Sequence, residues 1–179
     1  MSLSKRSILI CVVGALVLAL DQATKAVALG HLDRSTSIPV IDGFFDLTLV
    51  QNPGGVFGLF RDLAPGARGV LFTVIPGAAI ALILLYAWKA APDGFFARGS
   101  LAMILGGALG NLTDRLRFGF VIDFLDFYWR GYHWPAFNVA DTAICTGIGL
   151  LMLETLRPER GAPQVTEPPG GLSSGSHSP

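Results

Sequence analysis

The sequence predicts an α-helical membrane protein: a four-transmembrane-helix bundle with a small extracytoplasmic β-sheet and a short amphipathic surface helix. Three observations carry that expectation. Hydrophobic residues make up 51% of the 179-residue chain and charged ones only 15%, a balance that fits a membrane protein better than a soluble domain. The apolar residues gather into runs long enough to cross a hydrocarbon core, which takes about 20 residues of helix. Between the first two runs the chain changes character and alternates with the period of a strand.

The first run covers residues 7–29. It is unbroken over 8–20 and then carries DQATK. Lys5 and Arg6 precede it as in a signal peptide, but no small-x-small cleavage site follows cleanly and three more runs come later, so it reads as a retained helix. The second run, 70–88, contains Pro76, which has no N–H to give the preceding turn and predicts a kink. The third, 95–116, is rich in Gly and Ala, which lets helices approach closely. The fourth is 138–156.

The loop from 30 to 69 holds IPVIDGFFDLTLVQNPGGVFGLF. Its alternation puts Phe45, Leu47 and Leu49 on one strand face, and Asn52-Pro53-Gly54-Gly55 is a turn signal. A small sheet at the outer membrane surface and a short helix near 57–63 are expected. A second outer loop, 117–137, is extended at FVIDF. Residues 1–157 form one membrane domain on this reading. The remainder, 158–179, is rich in Pro, Gly and Ser and reads as a disordered cytoplasmic tail.

Orientation rests on the basic residues. Lys5, Arg6, Lys89, Arg98, Arg157 and Arg160 flank the side of both termini, and six arginines lie opposite. The first set hugs short ends and loops, where the positive-inside rule applies best, so both termini are expected in the cytoplasm.

Composition also excludes chemistries. Formal net charge is zero, so nothing argues for nucleic acid. His31, His133 and His177 are scattered and show no metal spacing. Cys11 and Cys145 sit singly in apolar runs and read as small buried apolar residues. No metal or other cofactor is expected, and catalysis would fall to carboxylates.

Alternating helix direction brings three polar clusters to one depth. Asp21, Gln22, Thr24 and Lys25 lie in the outer third of the first helix, Asp21 being about 20 Å along from Ile8. Asn111, Asp114 and Arg115 close the third helix, and Asn138 and Asp141 open the fourth. Each set falls at i,i+3 or i,i+4 spacing and so shares one helical face. Capping and snorkelling explain any one cluster; ionisable groups in three spans at one level point to a shared site.

Asp21 has Lys25 one turn on and Asp114 has Arg115 beside it, cations that keep a carboxylate ionised and suit bracing or binding. Asp123 and Asp141 have no adjacent cation. Two such aspartates near the water boundary suggest an aspartic-protease pair sharing one proton. In a strand Asp126 points away from the face of Asp123, so it reads as solvated or structural.

At these residues a family resemblance becomes visible. DQATK at 21–25, NPGGVFGLF at 52–60, GGALGNLTDRL at 106–116, VIDFLD at 121–126 and FNVADTAI at 137–144 resemble, in order and spacing, the blocks of bacterial lipoprotein signal peptidases, also called signal peptidase II. The resemblance implies an aspartic endopeptidase of the bacterial inner membrane, with its site near the periplasmic face. Its substrate would be a diacylglyceryl-modified prolipoprotein, cut just before the lipidated cysteine. It puts the catalytic pair on Asp123 and Asp141. Asp21, Asn52, Gly54, Asn111, Asp114, Arg115, Asn138 and Ala140 match positions that shape the site and hold substrate. One block departs from the family's usual N-x-G-A-x-F: Gly55 stands where Ala is usual, and Pro53 fills the variable position.

A lipidated substrate is itself anchored in membrane lipid, so a site at the outer helix ends meets the scissile bond without lifting the acyl chains out. Phe44, Phe45, Phe57 and Phe60 are candidates to cover it. The competing reading is a small proton-coupled transporter. Against it, the polar residues cluster at one end rather than lining a path, and no inverted repeat is visible.

Overall fold

The structure is a computed structural model and describes residues 5–54, 63–90 and 94–156. The expected surface helix near 57–63 falls almost wholly outside the described residues, as do Gly55, Phe57, Phe60 and the tail at 158–179.

Helix α1 (Lys5–His31) is followed by strands β1 (Ile38–Ile41) and β2 (Phe45–Asn52). A short α2 (Pro65–Gly69) passes through five residues of π-helical winding, Val70–Val74, into α3 (Ile75–Ala90). The wide winding ends just before Pro76, which cannot donate a hydrogen bond to the carbonyl four residues back. Helix α4 (Phe95–Phe118) ends on Gly119 at φ 79°, the left-handed cap that glycine adopts without penalty. Strands β3 (Val121–Trp129) and β4 (Tyr132–His133) follow, and then α5 (Val139–Thr155).

Among the described residues, three helical stretches are long and apolar enough to cross a membrane: Ile8–His31, Gly66–Tyr86 and Phe95–Phe118. The fourth expected span is α5, with 17 residues. Glycines set the close approach of α4 to its neighbours. A Cβ on Gly106 would meet Gly14 and Val17 of α1, and one on Gly107 would meet the backbone of Ala140 in α5. An apolar core of Ile10, Ile80, Leu101, Ala102 and Leu105 joins α1, α3 and α4. Cys11 and Cys145 are free and face outward, contrary to their reading as buried. In an apolar span the outer face is as suitable for a small thiol as the core.

The sheet draws on both outer loops. Its four strands run antiparallel in the order β1-β2-β3-β4. One register shift matters for the site: Leu47 pairs with Leu125 but Val50 with Asp123, so β2 carries an extra residue between them. Simple alternation would place Phe45, Leu47 and Leu49 on one face and Asn52 on the other. The bulge resets the alternation, so Val50 and Asn52, not Leu49, continue that face, and Asn52 comes onto the side of Asp123.

Candidate active site

Three helix ends and two strands converge. Lys25 is 2% exposed, yet its ammonium lies 2.9 Å from Asp21 Oδ2 and 2.8 Å from Asp114 Oδ2 and donates to Asn111 Oδ1 at 3.0 Å. Gln22 adds a bond to Asp114 Oδ1 at 2.9 Å. The other oxygen of Asp21 accepts from the backbone N–H of Ala140 at 2.9 Å, and Asp114 Oδ2 accepts from Ile122 N at 3.1 Å. Two buried carboxylates thus tie α1 and α4 to α5 and β3 around one cation. A buried charge is tolerated only with this degree of pairing.

Asn138 caps α5 in a capping box with Asp141: its Oδ1 accepts from Asp141 N at 3.0 Å, and its own N–H donates to Asp141 Oδ2 at 3.3 Å. Capping is therefore real, but it does not exhaust the residue. Asn138 Nδ2 also donates to Asp123 Oδ1 at 2.7 Å and to Asn111 Oδ1 at 3.1 Å. Asn111 Nδ2 in turn donates to Asp141 Oδ1 at 2.7 Å. The same two carboxamides hold both aspartates.

Asp123, 1% exposed, takes a third bond from Asn52 Nδ2 at 2.9 Å, while Asn52 Oδ1 accepts from Gly54 N at 3.0 Å. Gly54 sits at φ +112°, and a Cβ there would run into the Phe72 ring, so position 54 needs glycine for conformation and for space. Burial pushes the Asp123 carboxyl up to about 7; bonds from Asn52 and Asn138 oppose that rise and the nearby Asp141 charge supports it. A carboxyl poised there can hold or release a proton near neutrality.

Sequence adjacency paired Asp114 with Arg115. In the structure Asp114 forms its ion pair with Lys25, because successive helical residues do not face each other. Arg115 instead lines a cavity of about 330 Å³ with Pro53, Arg68, Phe72, Thr73 and Gly119, and its Nε has no hydrogen-bond partner among the described residues. Lys25 and Gln22, which the sequence places in the first polar cluster but not among the residues expected to hold substrate, are structural members of the site. The signal was present in DQATK, where Lys25 follows Asp21 by one turn. Asp126 lies on the opposite face of β3 and meets His133 Nδ1 at 2.8 Å. Phe44 and Phe45 pack on Phe127 and, through it, on Phe137.

A membrane-spanning helical protein with two aspartates held by the same pair of carboxamides, where its helices meet a small sheet, has the equipment of an aspartic-type membrane protease. The comparisons narrow the class. Residues 13–157 match the family described as Signal peptidase (SPase) II, and the chain belongs to that family. It is 44% identical over 158 residues to the lipoprotein signal peptidase of Syntrophus aciditrophicus (strain SB), covering 88% of this chain and 98% of the relative. It is 49% identical over 139 residues to that of Desulforapulum autotrophicum, covering 78% and 86%. A solved structure described as a bacterial membrane enzyme at 1.9 Å superposes with a TM-score of 0.74 at 27% identity, covering 83% of this chain and 92% of that one.

Proposed function

We propose that Asp123 and Asp141 are the catalytic carboxylates with which this enzyme removes signal peptides from prolipoproteins. The observation that carries the reading is their shared support: Asn111 and Asn138 bond each other, and each holds one of the two carboxylates. The buried Lys25 ammonium forms its ion pairs with Asp21 and Asp114. A dyad so placed holds one proton between two acids.

In the reaction the ionised aspartate takes a proton from a water, whose oxygen attacks the scissile carbonyl carbon. The protonated aspartate hydrogen-bonds the carbonyl oxygen and stabilises the charge that develops there. The tetrahedral intermediate collapses, the C–N bond breaks, and the acid now carrying the water's proton delivers it to the leaving amine. The signal peptide leaves with a new carboxylate, and the diacylglyceryl cysteine keeps the free amine.

Asn52, Gly54, Asn111, Asn138 and Ala140 shape the floor of the site in this reading, and Asp21 and Asp114 brace it. Arg115, whose Nε has no hydrogen-bond partner among the described residues and which lines a cavity, is suited to bind a substrate carbonyl. The α5 helix serves as the fourth span, at about 26 Å by helix rise. Both termini lie in the cytoplasm, the site opens near the periplasmic face of the inner membrane, and residues 1–157 act as one domain.

The test is cleavage of a diacylglyceryl-modified prolipoprotein in liposomes. Asp123→Asn and Asp141→Asn are each expected to lower kcat at least 100-fold, the scale of a lost general acid or base, while Asp126→Asn keeps most of it. Near-normal cleavage by either dyad variant would sink the assignment.

A further inference from the structure

The sheet has two unlike sides. Cross-strand partners project to the same side, so the register puts Phe45, Leu47, Leu125 and Phe127 with Asp123. Toward the hairpin turns the opposite side is polar: Ser37 Oγ and Tyr128 Oη both donate to Asp46 at 3.1 Å, and Asp126 meets His133. Both hairpin turns fall at the end of the sheet far from the site, because Phe45 pairs with Phe127 and Trp129 with Tyr132. Gly43 N donates to Tyr128 Oη across that end, at 3.2 Å.

This far end is rich in exposed aromatics. Trp129 is 63% exposed, Tyr132 84% and Trp134 67%. That matches the outward-facing residues of the membrane helices, such as Leu16 at 64% and Leu82 at 67%. In water such a patch would be a liability.

Three relations say what it meets. The Asp123 side chain is held by Asn138 at the start of α5, so this side of the sheet looks toward the helix ends. Only Gly119 and Phe120 separate α4 from β3, about 10 Å of chain at most, so the sheet stays at the level where α4 ends. From Asp123 to Trp129 the strand runs roughly 20 Å, about two helix diameters, far enough that its apolar side would reach past the helix ends and over the bilayer. Tryptophan and tyrosine favour the headgroup level. Arg130, in the turn, sets its guanidinium 5.9 Å over the Trp129 ring, where phosphates would meet the charge while the indole enters the apolar boundary.

We propose that the β3–β4 hairpin, residues 129–134, is an interfacial anchor that seats the far end of the sheet in the phospholipid headgroup layer and so holds Asp123 at a fixed depth. The anchor rests on the membrane placement of the helices, not on the assignment of the dyad.

The measurement uses the full chain carrying Trp88→Phe, which leaves Trp129 and Trp134 as its indoles. It is reconstituted in vesicles of phosphatidylethanolamine and phosphatidylglycerol. Lipids brominated high on the acyl chain are expected to quench the fluorescence, and aqueous iodide to quench little. Strong iodide quenching without a bromolipid effect would put the hairpin in water and overturn the proposal. Protection from both quenchers would mean a protein cover and overturn it equally. In a second experiment Trp129→Ala, Tyr132→Ala and Trp134→Ala are combined. The KM for a vesicle-borne lipidated substrate is expected to rise several-fold with kcat little changed, and the difference to shrink in detergent micelles. An unchanged KM, or a loss confined to kcat, would refute the anchoring role. Quenching needs no turnover, so its failure is distinguishable from a failure of the catalytic assignment.

Discussion

Lys25 and Asp114, from helices that are far apart in the chain, form an ion pair of 2.8 Å in which the side chains are 2% and 1% exposed. With Asp21 at 2.9 Å from the same ammonium, one cation serves two buried carboxylates. The arrangement is a joint between α1 and α4 rather than a surface ornament.

Removing that cation leaves two carboxylates uncompensated. Lys25→Met is expected to destabilise the protein by about 3–5 kcal/mol, the usual cost of breaking a buried pair. Adding Asp114→Asn to Lys25→Met should recover part of the loss, because the pair is coupled. Thermal unfolding in detergent of the two singles and the double measures this. Purely additive losses would show that the joint is not coupled.

Asp123 titrates in an informative range. Its ordinary value is 3.8, and burial raises it to about 7 in the folded protein. Below 3.8 both folded and unfolded chains hold the proton; between 3.8 and about 7 only the folded one does. The stabilising contribution is therefore full at low pH and lost as pH rises through 7. Asp123→Asn should flatten this fall in the unfolding temperature and be at least as stable as wild type at alkaline pH. Cleavage by wild type should decline on the alkaline side near the same value as the dyad loses its proton, an apparent constant belonging to the pair. A rate that is level across that range would contradict the shared proton.

Gly54 and Phe72 make the third case. Gly54→Ala puts a methyl group into the Phe72 ring at a φ of +112°, displacing the turn that aims Asn52 at Asp123. Misplacement of this kind can lower kcat by roughly 100-fold. Phe72→Leu in the same chain should return some activity by giving room, but not all, since the backbone strain remains. Prolipoprotein cleavage by the single and double variants checks it; full activity in Gly54→Ala would remove the turn from the site's support.

Much of this was legible before any fold. The long apolar runs, the outer sheet and the three polar clusters at one depth follow from hydropathy and helix rise. The ion pair of Asp21 with Lys25 was readable from their i,i+4 spacing. Helix pairing of Asp114 was not: sequence offered its neighbour Arg115, whereas the fold supplied Lys25. Asn138 looked like a cap, and it is one, but nothing local announces its bond to Asp123 at 2.7 Å.

Sequence by itself determined what must be buried in lipid, what must be turned to water, and which residue types meet at the helix ends, because those follow from transfer free energies and chain geometry. Only the tertiary structure decided who holds whom. The extra residue in β2 turns Asn52 onto the side of Asp123, and the glycines of α4 let Ala140 come within 2.9 Å of Asp21. Both depend on register and interhelical distance, which arise between segments and are encoded in neither one alone.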